Sequence, residues 1–143
     1  MLKVLLPVDG SENAQRATQK LIETLEWYKA MPVIELLAVH TPVHRYPNMS
    51  LVVSKEMIDG FYAEECATML APSRKILDDA RVPYTALWRV GAIAETIVEQ
   101  ARQSGSSMIY MGTRGMTGLA NMVLGSVVTR VLHLVHIPVV LVH

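Results

Sequence analysis

Cysteine is all but absent. Cys66 is the only one in 143 residues, so no disulfide forms within the chain and a secreted scaffold stapled by disulfides is excluded. A surplus of charge is missing too: Lys+Arg and Asp+Glu number 13 each, for a formal net charge of +0, without the basic excess of a nucleic-acid footprint. No apolar run approaches the ~18 residues of a membrane span. The opening residues enter a strand pattern at once, with neither a basic n-region nor an A-x-A site, which predicts no secretory leader. These absences point to a reducing, cytoplasmic setting. Two phosphate-binding signatures are also missing. No glycine is followed by lysine, which removes the G-x4-G-K-[ST] loop, and no G-x-G-x-x-G follows the first strand.

What is present is globular, with 51% hydrophobic and 18% charged residues, and the length suits one domain spanning residues 1–143. Residues 2–8 are apolar except Lys3, as in a central parallel strand covered on both faces, and Asp9-Gly10-Ser11 turns the chain. Ala14, Ala17, Leu21, Leu25 and Tyr28 recur at helical steps and predict a helix ending before Pro32. Residues 33–39 read as the second strand. Residues 40–53, with Pro42, Pro47, Asn48 and Ser50, lack periodicity and read as a long loop at its carboxyl end, where loops border ligands. Ser54 is a candidate N-cap for a second helix whose face includes Ile58, Tyr62, Cys66, Met69 and Ile76; Pro72 interrupts it and predicts a kink or two consecutive helices. Residues 83–90 alternate like an edge strand closed by Gly91, and Ile93, Ile97, Val98 and Ala101 define a third helix ending at Ser104-Gly105. This alternation predicts an α/β fold: a doubly wound parallel sheet with helices on both faces.

The most informative stretch follows. Residues 108–111 form a short apolar run that reads as a buried strand, and the chain leaves it through Gly112-Thr113-Arg114-Gly115. Further on, Gly125-Ser126 opens a segment with Val128, Val131, Leu132 and Val135 at helical spacing, before the last strand at residues 137–142. A helix start presents unpaired N–H groups and the positive end of its dipole, and glycine lets backbone approach a phosphate closely. Gly112, Gly115 and Gly118 alone would mark only a loop. The strand before them and the Gly125-Ser126 helix after them turn the reading toward a nucleotide phosphate site. Arg114 is either a solvated loop charge or a planar fork over phosphates. Asp9 is either a turn residue holding the Ser11 and Glu12 amides or a ligand contact.

The Gly-x2-Gly-x9-Gly-Ser spacing, with the opening Val4-Leu5-Leu6-Pro7-Val8-Asp9-Gly10-Ser11, resembles the nucleotide-binding branch of the universal stress protein family over the whole chain. That resemblance implies a five-stranded sheet of order 3-2-1-4-5, with ligand between strands one and four. It implies a site of Pro7, Val8, Asp9, Gly10, Val39, Met111, Gly112, Thr113, Arg114, Gly115, Gly118, Gly125, Ser126, Val127 and Val128. In it Val39 meets adenine through its backbone, Pro7 and Val8 flank the ring, and Asp9 meets ribose hydroxyls or a water on Mg²⁺. Val128 departs from the family pattern, where Thr is common two places after the serine. The expected ligand is ATP, ADP or AMP, and the expected role is regulatory, with at most slow hydrolysis, because only Asp9 and Arg114 stand as candidates for phosphoryl chemistry. Two alternatives remain open: a nucleotide-free dimeric interaction module of the same fold, and an adenylyl- or phosphoryl-transfer enzyme.

Of His40, His44, His133, His136 and His143, His133 and His136 lie in an apolar helix end without the cysteine or carboxylate partners of a metal site, where histidines favour the helix dipole, and the nine methionines read as gap-filling core or loop residues. Residues 138–143 are apolar on both faces without the lysine, inward charge or bulge that blunts an edge, which predicts a homodimer paired through this strand.

Overall fold

The computed structural model describes residues 1–43, 53–113 and 124–143. In chain order these form β1 (Lys3–Pro7), α1 (Glu12–Thr24), a 3-10 turn (Leu25–Trp27), β2 (Val33–His40), α2 (Lys55–Asp79), β3 (Thr85–Val90), α3 (Ile93–Ser104), β4 (Met108–Gly112), α4 (Ser126–Leu134) and β5 (Val139–Val142). The five strands are parallel and ordered β3-β2-β1-β4-β5. This is the expected doubly wound α/β architecture.

Strand alternation sorts the core into two layers. Val4, Leu6, Ile34, Leu36 and Ala38 face α1 and α2, where Ala14, Ala17, Leu21, Cys66, Leu70 and Leu77 cover them. Leu5, Leu37, Val39, Ile109 and Met111 face α3 and α4 and pack on Ala94, Ile97, Ala101, Val128 and Val131. Among the described residues no helix is long and apolar enough to cross a membrane.

Two expectations need correction, and of the alternatives at Pro72 the two consecutive helices are overturned. The α2 helix runs unbroken through Pro72, because core contacts lie on both sides of it: Tyr62, Cys66 and Leu70 before, Ser73 and Leu77 after. The Ser73 hydroxyl lies 2.8 Å from that of Thr18 in α1, which pins the helix one residue past the proline. Ser54 caps this helix as expected, accepting from the Met57 amide at 3.2 Å. The first helix stops at Thr24, so Tyr28 is not on its face; its hydroxyl reaches that of Tyr110 at 2.7 Å, and Thr24 joins at 2.9 Å. Finally, the apolar side chains of β5 are partly covered within one chain: Val142 is buried and Val140 packs beside it in the α1 layer, while Leu141 is 36% exposed.

Candidate functional site

The sheet opens where its winding reverses. From Lys3↔Val33 to Pro7↔Leu37 β1 pairs with β2, but with β4 it pairs only at Val4↔Met108 and Leu5↔Ile109. Past the end of β1 the Val8 amide donates to the Leu37 carbonyl at 2.8 Å, and Ala38, Val39 and His40 continue alone, paired only on their β3 side. A crevice at the carboxyl ends of β1, β2 and β4 results, which is where doubly wound sheets take ligands.

Its first wall is the turn after β1. Gly10 has φ +84°, a conformation that disfavours any side chain, and a Cβ there would lie 3.4 Å from the Met69 backbone of α2. The Asp9 carboxylate accepts the Ser11 amide at 3.0 Å, and the Ser11 hydroxyl caps α1 by accepting the Ala14 amide at 3.2 Å. Asp9 is therefore a turn residue on one oxygen. Glu12 gets no such bond from it among the described contacts.

The second wall is the end of β4. A Cβ on Gly112 would come within 2.8 Å of the Asn13 carbonyl oxygen and 2.9 Å of its Cβ, so the first turn of α1 lies directly on this glycine. Close packing of protein on protein is one requirement for glycine at this position. The contact also makes Asn13, which sequence reasoning did not single out, part of the crevice wall; only the folded chain brings it there. Thr113 comes next and joins three elements. Its amide donates to the Val142 carbonyl at 2.9 Å, its carbonyl accepts the Gly125 amide at 2.7 Å, and its hydroxyl lies 3.3 Å from Nδ1 of His143.

The third wall is the start of α4. Gly125 is the N-cap, without a side-chain hydrogen bond, and the first turn carries no acidic residue. Ser126 is the first helical residue and is exposed, so its hydroxyl is not the cap. The first intrahelical bond runs from the Thr129 amide to the Gly125 carbonyl; among the described residues the amides of Ser126, Val127 and Val128 have no acceptor. Three aligned donors at a positive helix end suit an anion.

The expected residues thus divide. Asp9, Gly10, Gly112, Thr113, Gly125, Ser126 and Val127 meet at one end of the sheet. Val39, Met111 and Val128 bury their side chains in the α3/α4 layer, and Val8 in the opposite layer, so only their main chains are available to a ligand. Pro7, at the end of β1, is buried as well. Arg114, Gly115 and Gly118 lie outside the described residues, as do His44, Pro47, Asn48 and Ser50. Among the described residues no three His, Cys, Asp or Glu side chains gather as a metal-ligand group.

Fold and crevice together define a doubly wound α/β protein with an anion-ready helix start at its switch point. Residues 1–143 match the profile of the Universal stress protein family, and the chain belongs to that family. It is 30% identical over 141 residues to universal stress protein MJ0531 of Methanocaldococcus jannaschii, covering 98% of this chain and 81% of that one. The solved structure of MJ0577, from the same organism, superposes with a TM-score of 0.77 at 27% identity, covering 99% of this chain and 94% of that chain. A universal stress protein crystallised in complex with cAMP shares the fold, with a TM-score of 0.71 at 20% identity over 99% of this chain and 97% of that one.

Proposed function

We propose that this chain is a regulatory protein that binds an adenine nucleotide, ATP, ADP or AMP, at the carboxyl end of its sheet. The observation that carries the reading is the uncapped start of α4, where the Ser126, Val127 and Val128 amides lack acceptors among the described residues. Phosphate oxygens would satisfy these donors, with the Ser126 hydroxyl as a further one. The base would lie against the unpaired flank of β2, meeting the main chain at Val39, with Pro7 and Val8 beneath. Asp9 would face the ribose, or Mg²⁺ brought by the phosphates, since a bare carboxylate beside phosphate is repulsive. The relative crystallised with cAMP supports the ligand class.

In this reading occupancy alters shape or partners, and turnover is slow or absent. The deciding experiment is mass spectrometry of small molecules released from freshly purified, denatured protein, with calorimetry of AMP and ATP on the stripped chain. Bound adenine nucleotide, or a Kd in the micromolar range, is the expected result; neither signal would leave the nucleotide-free module as the better account. Steady ATP hydrolysis above about 1 s⁻¹ would instead favour an enzyme.

The partner proposed with this site is a second copy, joined through the open backbone edge of β5. Leu141 is the side chain left for that contact, so Leu141→Lys is expected to weaken it in sedimentation.

A further inference from the structure

A groove of about 630 Å³ lies away from the nucleotide crevice, between α2 and the outer strand β3, with Ala63, Ala67, Ala71 and Arg74 on its helical wall and Ala86 and Trp88 on its strand wall. Among the described residues no strand lies on the outer side of β3. In the single chain Arg89 Nη1 caps the Trp88 carbonyl of that strand at 2.9 Å. We propose that this groove is a docking surface for a second copy of the chain, β3 against β3 antiparallel about a two-fold axis at Leu87, with the two α2 helices side by side.

Self-complementarity carries the proposal. Two contacts calibrate helix against strand. At one end the Tyr84 hydroxyl donates to Asp78 at 2.9 Å and Arg74 lies 5.8 Å from the Tyr84 ring centre. At the other, His40, which pairs with Val90, packs edge-on to Phe61 and Tyr62 at 5.7 and 5.5 Å. Strand rise is about 3.3 Å per residue and helix rise about 1.5 Å in the opposite direction, so Leu87, midway between Tyr84 and Val90, stands level with Met69.

An axis at that level sets like features against unlike ones. On the helices Ala67 faces Ala71 of the second copy, and Glu64 faces its Arg74, so a carboxylate meets a guanidinium at both ends. On the strands Ala86 faces Trp88, so each indole enters the space above the other copy's alanine; Ala86 and Trp88 both belong to the α2 side of the sheet. The α2 helix packs over both β2 and β3. With strands about 4.8 Å apart and α2 lying more over β2 than over β3, the two helices would lie about 10 to 14 Å from each other, a separation that the long Glu64 and Arg74 side chains span. Pairing exchanges the Arg89 cap for a main-chain hydrogen bond. Every contact occurs twice, as a closed two-fold interface requires. The proposal does not depend on the nucleotide reading and uses the sheet edge opposite β5.

Sedimentation equilibrium of the full chain carrying Leu141→Lys, so that the contact proposed at β5 does not contribute, tests it. Ala67 is exposed, so Ala67→Arg keeps the fold, checked by circular dichroism, and is expected to raise the dissociation constant of this interface at least about ten-fold. Glu64→Arg and Arg74→Glu should each weaken it, and the double variant should restore it to within about three-fold of the parent. Leu141→Lys should leave it in place. A chain that stays monomeric at about 100 µM, an association indifferent to Ala67→Arg, or a double variant that fails to restore pairing would each overturn the proposal.

Discussion

Two helices begin at the same end of the sheet, after the neighbouring strands β1 and β4, and their first turns are built in opposite ways. At α1 the chain satisfies part of its own donors and guards the rest with acid. The Ser11 hydroxyl takes the Ala14 amide, Asp9 takes the Ser11 amide, and Glu12 supplies a negative charge in the first turn. At α4 the cap is Gly125, no side chain among the described residues accepts, and no acid stands in the first turn. Both helices present a positive end to the crevice, but at α1 the Ser11 hydroxyl already holds the Ala14 amide, and an anion approaching the remaining Glu12 and Asn13 amides meets two carboxylates. At α4 it meets three amides that have no acceptor among the described residues. The fold supplies the position of each helix start, and the residues at the cap decide which one is a ligand site.

The largest test of that contrast is to give α4 what α1 has. Ser126→Glu places a carboxylate in the first turn, where it interacts with the amides and repels phosphate. Calorimetry with AMP should show at least a hundred-fold weaker binding, about 3 kcal/mol, while thermal stability holds or rises by a few tenths. Unchanged affinity would mean that the phosphates lie elsewhere. Ser126→Ala removes only one hydroxyl, so the expected loss is about 1 to 2 kcal/mol for AMP or ATP and none for adenosine. Because Gly125 is the cap, equal losses for adenosine and AMP would indicate a disturbed helix start.

Gly125→Ser separates stability from binding. The glycine has φ −59° and ψ 156°, which serine adopts without strain, and a serine hydroxyl there can reach the amides of the first turn. Stability should rise by a few tenths of a kcal/mol while nucleotide affinity falls several-fold. A rise in both would show that the open amides do not serve the ligand.

The parts of this design that are local in sequence were legible there. Gly125-Ser126 precedes an apolar period, and residues 108–111 are an unbroken apolar run, so the helix start and the strand before it follow from neighbouring residues. The order of the strands came with the family resemblance, since alternation of elements alone does not say which strands are neighbours. Long-range contacts were not legible. Gly112 was legible as a glycine at a strand end, but not its contact with Asn13, in the first turn of α1, which presses against it. Pro72 looked like an interruption, but the core contacts on both sides of it hold one helix. Val142 looked like an edge residue awaiting a partner, and α1 helps to bury it.

The smallest effect is expected at α1, where the contrast predicts that binding should barely respond. Glu12→Gln removes the first-turn charge. Its carboxylate is 90% exposed and only 3.9 Å from Arg16, a weak pair, so the loss comes mainly from the helix dipole and should be a few tenths of a kcal/mol. Proximity of this turn to Gly112 through Asn13 puts the Glu12 charge near the crevice, so removing it should strengthen AMP binding by no more than about two-fold, an effect that salt screens. Measured at low and at physiological ionic strength, that gain should shrink as salt rises. A salt-independent gain of ten-fold or more would show that α1 is itself a phosphate site held shut by its own glutamate, and the division of labour between the two helix starts would fail.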